Sequence, residues 1–386
     1  MSIRVRGCAL AAVAAMWGVL APGASARTAA TACSKPLPPV VIARPQLDQP
    51  TFSWNDPSGY RAQAVHFWSR TCAVLGATVY APVTIAPGAR LPGVIVLPPS
   101  GGVSTQEQVA YLATYLADNG YITMTVDPQG LGQSDWFGSP VCGTAPGYSN
   151  PSPCPGVPFQ TMDNWMETAR SALDYFLSSA NPLAASLDTA NVGIAGHSLG
   201  ARAASYVQDP FFDTGDAHGA PRVQAVVGLD NLSSNYYGDA SAAGGGTAAN
   251  GLVVGQLPGD HPIAINVPGL GLASDGGGDP DTKKFSYSQW KAAGVPSGMI
   301  VFAGVGHDDF SQATTSDEAM LHRFASITKA WFDRWLRNDS TALDAVLAGD
   351  VSYLSTAQHS AWFLPGDGIT GCEDWRSQSS SKECTP

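Results

Sequence analysis

Short unbroken apolar runs alternate with longer amphipathic stretches along this chain. "GVIVLPPSGG" (93–102) is an apolar run closed by Pro and Gly, the pattern of a strand buried on both faces. "STQEQVAYLATYLADNG" (104–120) follows, with Val109, Leu112, Ala113 and Leu116 at helical spacing, Ser104 or Thr105 to cap it and Gly120 to end it. "YITMTVD" then reads as another buried strand. The same alternation predicts a helix over 162–178, a strand over 192–195, a helix over 199–207 and a strand over 223–230. It continues with a glycine-weakened strand over 268–275, a helix over 282–293, a strand over 298–304 and a long amphipathic helix over 318–337. Residues 64–68 and 77–83 alternate as two earlier strands. Strand and helix taking turns this regularly predict an α/β fold, a mostly parallel sheet with helices on both faces.

The pattern breaks in five places. Arg4 and Arg6 precede an apolar run from Cys8 to about Leu20, and Ala24-Ser25-Ala26 follows. That is the layout of a secretory signal peptide, residues 1–26, cleaved near Ala26, and it predicts a secreted, extracellular protein. Residues 27–58 are rich in Pro and polar residues and read as an extended arm. Residues 136–160 hold many Pro and Gly and two Cys, and 238–251 are nearly all Gly, Ala, Ser and Asn. Both follow predicted strands on their carboxyl side, where open α/β sheets bind ligands. The expected domain is 59–345, with 136–160 as a loop insertion beside the site and 346–386 as a disulfide-closed C-terminal appendage.

Charge and cysteines narrow the function. Net charge is −11, and losing residues 1–26, with two arginines and no acid, leaves −13. An acidic chain with scattered Lys and Arg makes a poor partner for nucleic acid or an anionic membrane, and no stable membrane insertion is expected. The chain is expected to be a monomer. Cys8 leaves with the signal, so six cysteines remain in an exported protein. They are expected to pair in sequence order as Cys33–Cys72, Cys142–Cys154 and Cys372–Cys384, each closing a local loop. No Cys-x-x-Cys pair occurs, and "SDGGGDPD" lacks EF-hand spacing, so neither a metal nor a cofactor is expected.

The candidate chemistry sits in "NVGIAGHSLGARAAS" (191–205). Here Ser198 stands between Gly196 and Gly200 where a strand turns into a helix. A nucleophile elbow needs that strand, that helix and small flanking residues. The helix N-terminus lends partial positive charge where an oxyanion would form. A serine hydroxyl needs a base, and in this arrangement the order is serine, acid, histidine. His307 follows a buried strand on the Gly-rich loop of "IVFAGVGHDDF" and is the expected base. The other later histidines, His218, His261, His322 and His359, fit less well by position. Two aspartates end strands between Ser198 and His307: Asp275, after "GLGLAS", is the first choice, and Asp230, after "VVGL", the alternative. Oxyanion donors are expected from the backbone of Leu199 and of Ser100, with Gly101 as an alternative to Ser100.

"GHSLG", "VDPQGLGQSD" (126–135), a late strand-end acid and "GVGHDDF" together resemble the α/β-hydrolase superfamily in a secreted, disulfide-bearing bacterial form, over roughly residues 75–345. Pro98-Pro99 stands where many members carry His-Gly at the oxyanion loop. The resemblance implies an eight-stranded, mostly parallel sheet and an acyl-enzyme at Ser198, with His307 as base and then acid. It also implies a structural Asp127 and a carboxylic ester substrate, whether small ester, lipid or polyester. A peptidase or amidase with the same triad, and a non-catalytic ligand-binding relative, are the competing expectations.

Overall fold

A computed structural model describes residues 59–70, 73–100, 105–134, 162–230, 232, 263–275, 280–312, 314–315, 317–355 and 360–372. The expected signal peptide, the arm and the 136–160 and 238–251 loops lie outside the described residues. So do the expected disulfides, since the side chains of all six cysteines fall there.

Among the described residues, ten strands form one sheet in the order β1-β2-β4-β3-β5-β6-β7-β8-β9-β10. The first two, β1 (Tyr60–Trp68) and β2 (Val74–Pro82), form an antiparallel hairpin, and β2 runs antiparallel to β4 (Ile122–Val126). From β4 the sheet is parallel through β3 (Leu91–Leu97), β5 (Leu187–His197), β6 (Ala225–Leu229), β7 (Gly269–Ser274) and β8 (Ser297–Phe302). Parallel neighbours need crossovers, and helices supply them. These are α1 (Ala110–Asp118), α2 (Met162–Phe176), α3 (Leu199–Val207) and α5 (Pro280–Ala292). The short α4 (Pro210–Thr214) follows α3, and α6 (Glu318–Leu336) and α7 (Asp344–Ala348) follow β8.

The α/β class and the mostly parallel sheet are as the pattern predicts. In β3, Val94 and Val96 join one buried cluster with Leu112 and Leu116 of α1 and Trp331 of α6. Ile95 and Leu97 join the other with Trp165 and Leu173 of α2 and Ala203 of α3. Successive side chains of a strand point to opposite faces, so an unbroken apolar run means helices on both sides.

Two differences concern the C-terminal part. The sheet has ten strands, not eight, because β9 (Ala361–Leu364) pairs antiparallel with β8 and β10 (Ile369–Cys372) with β9. Residues 361–372, expected in an appendage, therefore extend the sheet at its edge, and Trp362 is fully buried in the core. Each of these strands is four residues long, with a Pro-Gly turn between them. A run that short carries no readable period. The amino end of α1 also differs: Thr105 makes no side-chain cap, and the chain enters through a 3-10 turn over Gln106–Val109.

Candidate active site

Ser198 stands between β5 and α3 with φ 55° and ψ −118°, a conformation that L-residues adopt at a cost of roughly 1–3 kcal/mol. The flanking glycines make the turn sterically possible. A Cβ on Gly196 would stand 2.3 Å from the backbone of Gly200, and one on Gly200 would stand 2.6 Å from the carbonyl oxygens of Leu97 and Pro98. The first turn of α3 thus packs directly against the end of β3. The elbow is pinned from the neighbouring strand as well, by Ser198 N–H donating to the Leu229 carbonyl at 3.0 Å.

The Ser198 hydroxyl lies 2.9 Å from His307 Nε2. On the other side of the ring, Nδ1 meets Asp230 Oδ2 in a short contact. A carboxylate only accepts, so Nδ1 carries the proton and Nε2 is left to accept from Ser198. The Asp230 side chain is fully buried, while 41% of the His307 side chain is exposed. An ion with no access to water needs donors. Asp230 accepts from His307 Nδ1–H, from the Ser274 backbone N–H at 2.9 Å and from the Ser274 hydroxyl at 2.7 Å.

The acid in contact with the histidine is therefore Asp230, and the expectation that Asp275 fills this place is corrected. Asp275 lies just past β7 and accepts from the Gly304 N–H at 2.8 Å. It anchors the root of the His307 loop instead of the ring. Strand register explains the exchange. His197 pairs with Leu229, so Ser198 and Asp230 leave their strands at the same height. Ser274 pairs with Phe302, so Asp275 lies level with Ala303, beside Gly304.

The His307 loop is held at several other points. His197 is buried and its Nε2 lies 2.8 Å from the His307 carbonyl oxygen. A carbonyl only accepts, so this nitrogen donates. The His197 and His307 ring centroids lie 5.0 Å apart. Farther along, the Tyr111 hydroxyl donates to the Phe310 carbonyl at 3.1 Å, and the Tyr111 N–H donates to Gln312 Oε1 at 2.7 Å. Burial pushes the Tyr111 phenol well above its ordinary pKa, which keeps it a donor.

Of the expected oxyanion donors, Leu199 is the first residue of α3, where N–H groups have no intrahelical partner. Ser100 is half-buried and lies three residues past β3, two after Pro98, whose carbonyl lies against the α3 turn. Gly101 lies outside the described residues. Trp165 Nε1 donates to the Pro98 carbonyl at 2.7 Å and fixes the start of this loop. Asp127, fully buried, accepts from the Gln106 N–H at 2.8 Å, Gln106 Nε2 at 2.9 Å and the Gln133 N–H at 2.9 Å. It closes the far end of the same loop onto the turn after β4.

Of the other histidines, His66 lies in β1, at the far edge of the sheet from β8. His218 is exposed on a turn, His322 of α6 packs edge-on against Tyr115 of α1, and His261 and His359 lie outside the described residues. Among the described residues, no group of three or more His, Cys, Asp or Glu side chains is placed to hold a metal ion. No helix among them is long and apolar enough to cross a membrane. Sequence reasoning missed Ser274 and His197. Both flank residues it singled out, and the one available signal is a polar side chain ending an otherwise apolar buried strand. No protein-family model matches the chain, and no curated protein matches it.

Proposed function

We propose that this chain is a secreted serine hydrolase of the α/β-hydrolase type that cleaves carboxylic esters through an acyl-enzyme. The observation that carries the reading is the unbroken relay from Ser198 Oγ through the His307 ring to Asp230, set on a strained strand-to-helix turn. A structural histidine has no need to offer its open nitrogen to a serine hydroxyl on such a turn.

The chemistry follows from the hydrogen bonds. Ser198 Oγ attacks the ester carbonyl carbon while its proton passes to His307 Nε2. The carbonyl π electrons move to oxygen, and the resulting oxyanion accepts from the Leu199 N–H and from a second donor in the loop that begins at Ser100. Asp230 stabilises the imidazolium without taking its proton. The oxyanion collapses, the bond to the alcohol oxygen breaks, and His307 Nε2 returns its proton to that oxygen. Water then repeats the sequence: it attacks the acyl carbon and gives a proton to His307 Nε2, the tetrahedral oxyanion collapses, the bond to Ser198 Oγ breaks, and His307 passes that water-derived proton to Ser198 Oγ. Asp230 takes the orienting role in this reading and Asp275 does not.

The test is hydrolysis of a p-nitrophenyl ester series, acetate to palmitate, by the purified protein beside its Ser198→Ala variant. Ester turnover that vanishes in the variant is the expected result, with a fluorophosphonate labelling Ser198. Cleavage of amide but not ester substrates would overturn the ester assignment. An intact fold that neither turns over nor labels would overturn the enzyme.

A further inference from the structure

The relay does not end at Asp230. Its second carboxylate oxygen, Oδ1, accepts from both the backbone N–H of Ser274 at 2.9 Å and the Ser274 hydroxyl at 2.7 Å. Ser274 is the last residue of β7, it is fully buried, and it immediately precedes Asp275. Asp230 itself has φ 54°, an uncommon backbone conformation for a residue other than glycine. Its N–H is held by the Leu272 carbonyl at 2.6 Å. The carboxylate is thus held at Oδ1 by β7 while Oδ2 meets His307 Nδ1.

We infer that Ser274 is a positioning residue for the reaction: its hydroxyl fixes the Asp230 carboxylate so that Oδ2 aligns with the imidazole. This rests on the reading of Ser198, His307 and Asp230 as the reacting set. A carboxylate held by a backbone N–H alone can still rotate about its Cβ–Cγ bond, while two donors on one oxygen define the plane. Reaction rate is sensitive to small misplacement of such groups. A merely structural serine would affect stability and leave the histidine's hydrogen bond as it was.

Ser274→Ala removes the donor and Ser274→Cys keeps a side chain of similar volume with only a weak donor. Both variants are compared with wild type in three measurements. One is the split of kcat from KM on a p-nitrophenyl ester, another the rate of fluorophosphonate labelling at Ser198. The third is the low-field proton resonance of the His307 Nδ1–H. The expected result for Ser274→Ala is a fall in kcat and labelling rate of about tenfold with KM nearly unchanged, the worth of one hydrogen bond to a charged group. The resonance should move or broaden, and Ser274→Cys should stay well below wild type. Wild-type rates in Ser274→Ala, or full restoration by Cys, would overturn the inference. Failure of the enzyme reading is distinguishable: wild type itself would then neither turn over esters nor label. The resonance would still report whether Ser274 governs the Asp230–His307 contact.

Discussion

Asp230 and Asp275 each stand one residue beyond a buried parallel strand, and each accepts a hydrogen bond from the loop that carries His307. Asp230 grips the imidazole and is fully buried, with its other oxygen held by Ser274. Asp275 is only partly buried and grips the backbone at Gly304. One carboxylate holds the imidazole and the other supports the polypeptide beneath it. Two residues with the same sequence context therefore do different work, and what separates them is their height along the sheet.

The largest effect expected from this contrast is at Asp230. Asp230→Asn keeps the shape but turns an acceptor-only group into one that also donates, which favours the wrong histidine tautomer. Ester turnover should fall by about 10⁴-fold. Asp275→Asn keeps an acceptor oxygen for the Gly304 N–H, so its rate should stay within about threefold of wild type. Steady-state kinetics of the two variants side by side decide the matter, and a large loss at Asp275 with little at Asp230 would reverse the assignment.

His197 tests whether support of the loop backbone counts at all. His197→Phe keeps a ring of similar size against His307 and Phe310 but removes the donor to the His307 carbonyl. A partly buried acceptor left without that donor should cost about 1 kcal/mol of stability. Turnover should drop about tenfold through kcat, because the imidazole shifts on its loop. Chemical denaturation and kinetics on the same sample check both numbers. A variant as active as wild type would mean that Asp230 alone sets the ring position.

Much of this arrangement is legible in the chain before any coordinate. Apolar runs such as 93–97 and 298–302 locate strands that the sheet buries on both faces, and Gly196-His197-Ser198-Leu199-Gly200 locates the elbow. His307 follows from its place after a buried strand. The choice between acids does not, because strand order says which strand comes next and not how far each reaches. Only the pairing of His197 with Leu229 puts Ser198 and Asp230 level. β5 shows the same limit: its first residues, Leu187-Asp188-Thr189-Ala190-Asn191, are polar enough to read as loop. They are strand because Leu187 and Asp188 pair with Leu91 and Pro92. Partners distant in sequence decide register, and a local pattern carries no information on them.

The smallest effect lies at the far end of the His307 loop. Tyr111→Phe removes the hydroxyl that donates to the Phe310 carbonyl and leaves the backbone bond to Gln312 in place. The loss should be about 1 kcal/mol of stability, with ester turnover within about twofold of wild type. The stability gap has a pH signature. Burial raises the folded-state pKa of this phenol, so the folded chain keeps the proton while the unfolded chain releases it above about pH 10. The contribution is therefore full below pH 10 and lost as pH rises beyond it. Wild type should approach the Phe variant in alkaline denaturation series and stand above it at neutral pH. If Tyr111→Phe instead slowed turnover as much as His197→Phe, a support of the Phe310 backbone would matter to the chemistry as much as one at His307 itself. The line between the carboxylate that holds the ring and the groups that hold the chain would then have to be redrawn.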